Sequence, residues 1–157
     1  MNKKIFMFSG WILWIVSVIF FISIFARGKK VISEDKRIAI LLNPSEKELV
    51  LSEMRTLLTV IHETLILLSK EDYNAAAKKS KEGGMDLVEN LAAAEKSILL
   101  KIPIEFKKLG FGTHEAFDNF SKSILEKKPY PILMKELGEL TSRCVACHSA
   151  YKLELEK

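Results

Sequence analysis

The only two cysteines in this 157-residue chain stand three apart with a histidine directly behind them: Cys144-Val145-Ala146-Cys147-His148. That spacing is the attachment signature of a c-type haem. Two thiols add across the porphyrin vinyl groups to form thioethers, and the neighbouring imidazole ligates the iron. On a helix, Cys144 and Cys147 are i,i+3 and Cys144 and His148 are i,i+4, so all three project from one face within about one turn. Competing chemistries fit less well. A zinc site needs four ligands, and only His62 and His114 remain as further soft donors. A thioredoxin-like redox pair belongs in a βαβ setting, and no strand pattern is evident nearby. The plainest alternative is a chance match between structural residues.

The elements that must position this motif divide into an apolar start and an amphipathic body. Ile5 to Ala26 is 22 residues without a charge, with Lys3 and Lys4 before it and Arg27, Lys29 and Lys30 behind it. This is long enough to cross a bilayer core as a helix. It exceeds the apolar core of a cleaved signal, and only Ile24 and Ala26 would be available for a small-x-small cleavage site. Residues 1–26 therefore read as an uncleaved transmembrane anchor and 27–43 as a linker, a tether of about 17 residues. Positive-inside counting slightly favours the wrong end for an exported domain. A covalent haem implies attachment on the outer side of the cytoplasmic membrane, and that implication overrules the loop charges here.

The formal net charge of +4 belongs to that start. The first 43 residues hold 7 Lys/Arg against 2 Asp/Glu, whereas the segment from Pro44 onward holds 17 against 18. Basic membrane flanks can meet anionic headgroups. The body carries no basic patch with interleaved aromatics, so nothing points to nucleic acid. The Lys/Glu runs, such as Lys78 to Glu82, read as solvated helix faces.

Residues 44–157 read as one domain of four helices. Asn43-Pro44 is a cap followed by a proline at the first helical position. Val50, Met54, Leu57, Ile61, Leu65 and Leu68 then recur at helical spacing over about 25 residues. Ser69 to Asp72 resembles a capping box that opens a second helix, from about Glu71 to about Leu99. Its apolar positions are Tyr73, Ala76, Ala77, Leu87, Leu91 and Ile98, and Gly83-Gly84 within it marks a kink or a close packing point. Pro103 opens a third helix whose face is Phe106, Leu109, Thr113, Phe117, Phe120 and Ile124. Gly110 and Gly112 there let a bulky neighbour approach the backbone. Pro129 and Pro131 begin a fourth helix with the face Leu133, Leu137, Leu140, Cys144, Cys147 with His148, and Tyr151. The pattern predicts an all-α antiparallel four-helix bundle, preceded by one transmembrane helix, with haem c held inside the bundle.

A four-helix bundle with a single Cys-x-x-Cys-His close to its C-terminus resembles the class II cytochromes c, the cytochrome c-prime family. Glu53-Met54-Arg55 and Asp72-Tyr73 are softer echoes. Class I cytochromes c place the motif near the N-terminus. The resemblance implies that Cys144 and Cys147 hold one haem c covalently and that His148 is the proximal iron ligand. It also implies pairing of two copies through the first two helices. The anchor departs from the family's usual soluble periplasmic form.

The sixth coordination position decides the function. In the low-spin branch of that family a methionine of the first helix ligates iron, and Met54 stands on the inward stripe where such a ligand is expected; its ordinary alternative is core packing. In the high-spin branch an apolar side chain covers a five-coordinate iron. His62 and His114 read as boundary or surface histidines, and Met85 and Met134 as packing, with Met134 also placed to line the haem edge. Arg55 and Arg143 are the two arginines of the domain, each a candidate for a haem propionate. Tyr151 is a candidate to pack on the porphyrin. The resulting expectation is a single-pass, membrane-anchored electron-transfer protein with redox partner proteins and no enzymatic activity of its own. The alternative is a five-coordinate binder or sensor of NO or CO. A third expectation is an assembly subunit of a membrane complex.

Overall fold

The computed structural model describes residues 3–94 and 97–156, and the side chains of 8–89 and 97–156. Met1, Asn2 and the expected apolar contact of Leu91 lie outside that description, as do the side chains of Lys3 and Lys4. Among the described residues the chain is mostly helical. It runs α1 (Lys3–Arg27), β1 (Lys30–Ile32), β2 (Ile38–Leu42), α2 (Pro44–Ser69), α3 (Tyr73–Lys81), α4 (Met85–Ala94), α5 (Ile98–Lys101), α6 (Ile104–Leu125), α7 (Tyr130–Ala150) and β3 (Tyr151–Leu155).

Helix α1 is long and apolar enough to span a membrane over Phe8–Arg27, and no part of that window is buried against the rest of the chain. The segment beyond it is not a free tether. Gly28 takes a left-handed φ of +59°, and a Cβ there would run into the Lys101 carbonyl, so only glycine fits the turn. The Lys29 amide then donates to the Lys101 carbonyl at 2.6 Å, and the Leu41 amide donates to the Lys29 carbonyl at 3.0 Å. The predicted linker is a hairpin. Strand β1 pairs antiparallel with β2, and β2 pairs parallel with β3 from Ile38↔Tyr151 to Leu42↔Leu155. A small three-stranded sheet thus joins the two ends of the domain, and the all-α expectation is corrected to that extent. Tyr151 is corrected as well. It does not extend the last helix but takes an extended conformation (φ −128°, ψ 156°) at the helix end and starts β3.

The first long helix forms as its cap predicts. The Asn43 side chain accepts from the Glu46 amide at 2.9 Å, and the Glu46 carboxylate accepts from the Asn43 amide at 2.8 Å. The second helix departs from expectation. Asp72, not Ser69, caps it, accepting from the Ala75 amide at 3.1 Å, while the Ser69 hydroxyl turns back to the Ile66 carbonyl. It then breaks at Gly83-Gly84 into α3 and α4, with the single turn α5 next in the chain. A Cβ on Gly83 would lie 2.9 Å from the Phe117 ring, and one on Gly84 would meet the Asp118 carboxylate. The glycine pair is therefore both a break and a close approach to α6.

Two cores result. In the larger, Val60 and Leu68 of α2, Ala76 and Ala77 of α3, Phe117, Phe120 and Ile124 of α6, and Leu133, Leu137 and Leu140 of α7 close one end of a bundle. In the smaller, Ile40 and Leu42 of β2 pack with Val50, Ile102 and Phe106 under the sheet. Burial of each of the valine, leucine, isoleucine and phenylalanine side chains among these contributes roughly 1.5–3 kcal/mol. The end of α1 is pinned to this body: Lys107, 6% exposed, donates to the Phe25 carbonyl at 3.2 Å, with its ammonium 3.6 Å from the centre of the Phe25 ring. Burial pushes the Lys107 pKa down.

Candidate functional site

Between the two cores the inward stripes of α2, α6 and α7 diverge and leave a cavity. Its volume is about 250 Å³, a little below the roughly 300–1,000 Å³ of small-molecule sites, and its mouth opens to solvent. From α2 come Val50, Met54, Leu57, Leu58 and Ile61; from α6 Phe106, Leu109, Gly110 and Thr113; from α7 Arg143, Cys144, Cys147 and His148. The walls are overwhelmingly apolar. The last turn of α7 brings both thiols and the imidazole to one wall, as the i, i+3, i+4 spacing requires. Cys144 and Cys147 are half-buried and unpaired. His148 is exposed at the edge, and its carbonyl accepts from the Arg37 guanidinium at 3.3 Å.

Burial raises the pKa of both thiols, that of Cys147 up to about 11, with the neighbouring Cys144 adding to the Cys147 shift. At neutral pH they are thiols rather than thiolates, which is the wrong state for a dithiol oxidoreductase. Among the described residues no three His, Cys, Asp or Glu side chains stand close enough together to hold a metal ion. The residues present match the donors that a covalently attached porphyrin would need. There is an apolar slot, two thiols on one wall, an imidazole beside them, and at Gly110 a position where an added Cβ would meet no atom within 4 Å.

Met54 lines the same cavity from α2. It is half-buried, packs against the core under the sheet alongside Cys147, and lines both this cavity and a shallower hollow on the far side of Cys147. Arg143 reaches the cavity and folds back over α6, where its Nη1 lies 2.9 Å from where a Cβ on Gly112 would stand; this is the close approach that the glycine predicts. Arg55 is not in the cavity. It is exposed on the outer face of α2 and pairs with Glu48 at 2.5 Å, because one residue beyond Met54 turns a side chain about 100° around the helix. His62 is exposed and does not line the cavity. His114, expected at a boundary or on the surface, is instead 4% exposed. Its Nε2 meets the Glu53 carboxylate at 2.9 Å and its Nδ1 the Gly83 carbonyl at 2.7 Å, so both ring nitrogens are engaged within the protein.

Sequence reasoning missed three cations. Arg37, Lys47 and Lys152 rim the shallower hollow beside His148. Arg37 comes from the segment read as a linker, and Lys152 reaches the rim because β3 pairs with β2. Only the Tyr151-x-Leu153-x-Leu155 alternation signals that strand in the sequence. Comparison of the chain with family models, with curated proteins and with solved structures finds no match in any of the three.

Proposed function

We propose that this chain is a membrane-anchored haem c protein that carries electrons at the outer face of the cytoplasmic membrane, without an enzymatic reaction of its own. Cys144 and Cys147 would hold the porphyrin by thioether bonds, and His148 would be the proximal ligand. The observation that carries the reading is the placement of Cys144, Cys147 and His148 on one wall of an apolar cavity. When bound, the haem supplies one-electron chemistry. The chain supplies an apolar wall of Leu57, Ile61, Phe106 and Leu109, and Met54, which lines the same cavity, would serve as the sixth ligand. Thioether ligation raises a haem potential. Arg143 at the rim is suited to a propionate; Arg55, on the opposite face, is not.

One observation favours the five-coordinate alternative, a binder of NO or CO. Met54 already packs against the core under the sheet, so it can cover the cavity without ligating.

The deciding experiment is the oxidised and reduced absorption spectrum of the full chain expressed with haem-attachment machinery. The expected result is haem that resists acid-acetone extraction, a sharp reduced α/β pair, and a methionine-to-iron band when oxidised. Cys144→Ser with Cys147→Ser should abolish covalent haem, and Met54→Ala should convert the spectrum to high spin. No covalent haem in the wild type refutes the proposal. A broad spectrum that responds to CO and ignores Met54→Ala selects the gas binder.

A further inference from the structure

The groove where α1 meets α5 combines features that the haem reading does not use. Phe20 and Ile24 of α1 and Leu100 of α5 form one apolar wall, and Arg27, Lys29 and Lys101 close its upper end. The three apolar side chains are 60%, 50% and 58% exposed. For Leu100 this is an unusual cost, because the rest of α5 turns Ile98 and Leu99 toward the core under the sheet. Leu100 thus points at the level where α1 leaves the hydrocarbon.

The cations above it are unequal. Lys101 is held between Glu46 and Glu156 and is mostly buried, so it contributes its stem. Lys29 shares Glu156 at 3.0 Å but keeps 56% of its side chain exposed. Arg27 has no carboxylate partner among the described residues and ends the apolar run. Backbone bonds hold the three in place, through the Gly28 turn and the Lys29–Lys101 pairing.

The geometry points to a site for one anionic phospholipid. Its phosphate lies against Arg27 and Lys29, and an acyl chain runs down Phe20, Ile24 and Leu100. Charge complementarity and continuity with the membrane helix select this occupant. A negative headgroup meets an exposed guanidinium with no carboxylate partner among the described residues, at the depth where headgroups lie, and the apolar wall continues in the direction of the tails. Such a lipid wedges between anchor and domain opposite the Lys107–Phe25 contact, so that both sides of the helix exit are filled. The site requires α1 to cross the bilayer and is independent of the cofactor.

The test uses the full chain in nanodiscs of phosphatidylcholine mixed with phosphatidylglycerol. After mild detergent extraction, native mass spectrometry counts the lipid that stays bound. The wild type should retain phosphatidylglycerol in preference to phosphatidylcholine. Arg27→Gln should lower that retention about fivefold, the effect of one basic residue at an anionic surface. Leu100→Ser should shorten retention of either lipid, and Lys78→Gln, on the exposed face of α3, should change nothing. Equal retention of the two lipids by the wild type overturns the site. So does undiminished phosphatidylglycerol binding in Arg27→Gln, since Arg27 is exposed and its loss leaves the fold intact.

Discussion

His114 Nε2 lies 2.9 Å from the Glu53 carboxylate, a pairing of α6 with α2 in the wall of the cavity. The pair does for the opened end of the bundle what leucines do for the closed end. It ties together two helices that the cavity otherwise holds apart, and the Gly83 carbonyl on the other ring nitrogen adds the α3–α4 break to the same knot.

This knot makes stability depend on pH. Burial pulls the His114 pKa down, but the Glu53 carboxylate and the Gly83 carbonyl more than offset it, and the net shift is upward. A raised folded pKa means stability that is fully present below the unfolded value of about 6.5 and is lost as pH rises through the folded value. Urea unfolding at a series of pH values should show the midpoint falling on the alkaline side of about 6.5. Glu53→Gln should flatten that slope and cost roughly 1–3 kcal/mol at its acid end. An unchanged slope in Glu53→Gln would mean that the pair does not govern it.

The helix break at Gly83-Gly84 is set by contact rather than by backbone freedom, since neither glycine has a positive φ. The Asp118 carboxylate accepts from the Met85 amide at 3.1 Å and so caps α4. A methyl group on Gly84 would displace that carboxylate. Gly84→Ala should therefore destabilise the protein by roughly 1–3 kcal/mol. Gly138→Ala, in α7 with open space around it, should stabilise by about 1 kcal/mol. Chemical denaturation of the two variants side by side reads the difference in sign.

The glycine pair also marks where the sequence stops being legible. Local signals are sound: Asn43-Pro44 starts α2, Pro103 and Pro129 precede α6 and α7, and the leucine and phenylalanine stripes face the core. Pairings between residues far apart in the chain are not readable in the same way. Ile38–Leu42 is a five-residue apolar run, and such a run does not distinguish a strand from a buried helical turn. Only β3, more than a hundred residues on, makes it the centre of a sheet. Arg37 at His148 and Glu53 at His114 depend on the same kind of long-range closure. The motif at Cys144 is readable because all its geometry lies within one turn.

Glu46 is a buried charge held by the same long-range closure. It has no exposed surface, accepts from Ser97 at 2.6 Å and from Lys101 at 2.7 Å, and caps α2. Burial pushes its pKa up, yet Lys101, Ser97 and the Asn43 amide outweigh burial, so the net shift is downward. The stability it supplies is present above the unfolded carboxylate value and is lost as pH falls through the folded one. Glu46→Gln should cost roughly 2–4 kcal/mol near neutral pH. The variant and the wild type should converge once the medium is acidic enough to protonate Glu46. Urea midpoints measured at both ends of that range test the claim, and a constant gap would contradict it.

Gly110 separates a structural hole from a binding site. It sits inside α6, where glycine costs about 1 kcal/mol against alanine, and a Cβ there would meet nothing within 4 Å. If the cavity serves only as loose packing, Gly110→Leu improves the protein without penalty, because it removes the helix cost and fills space. If a porphyrin occupies the cavity, the same leucine would take up space that the ring needs. The expected outcome is a split: the haem-free chain unfolds at higher urea, while covalent haem per protein, measured by pyridine haemochrome absorbance, falls several-fold. Gly138→Ala shares the helical gain but lies away from the cavity, so its haem content should equal that of the wild type. Normal haem loading in Gly110→Leu would place the porphyrin somewhere other than between α2, α6 and α7.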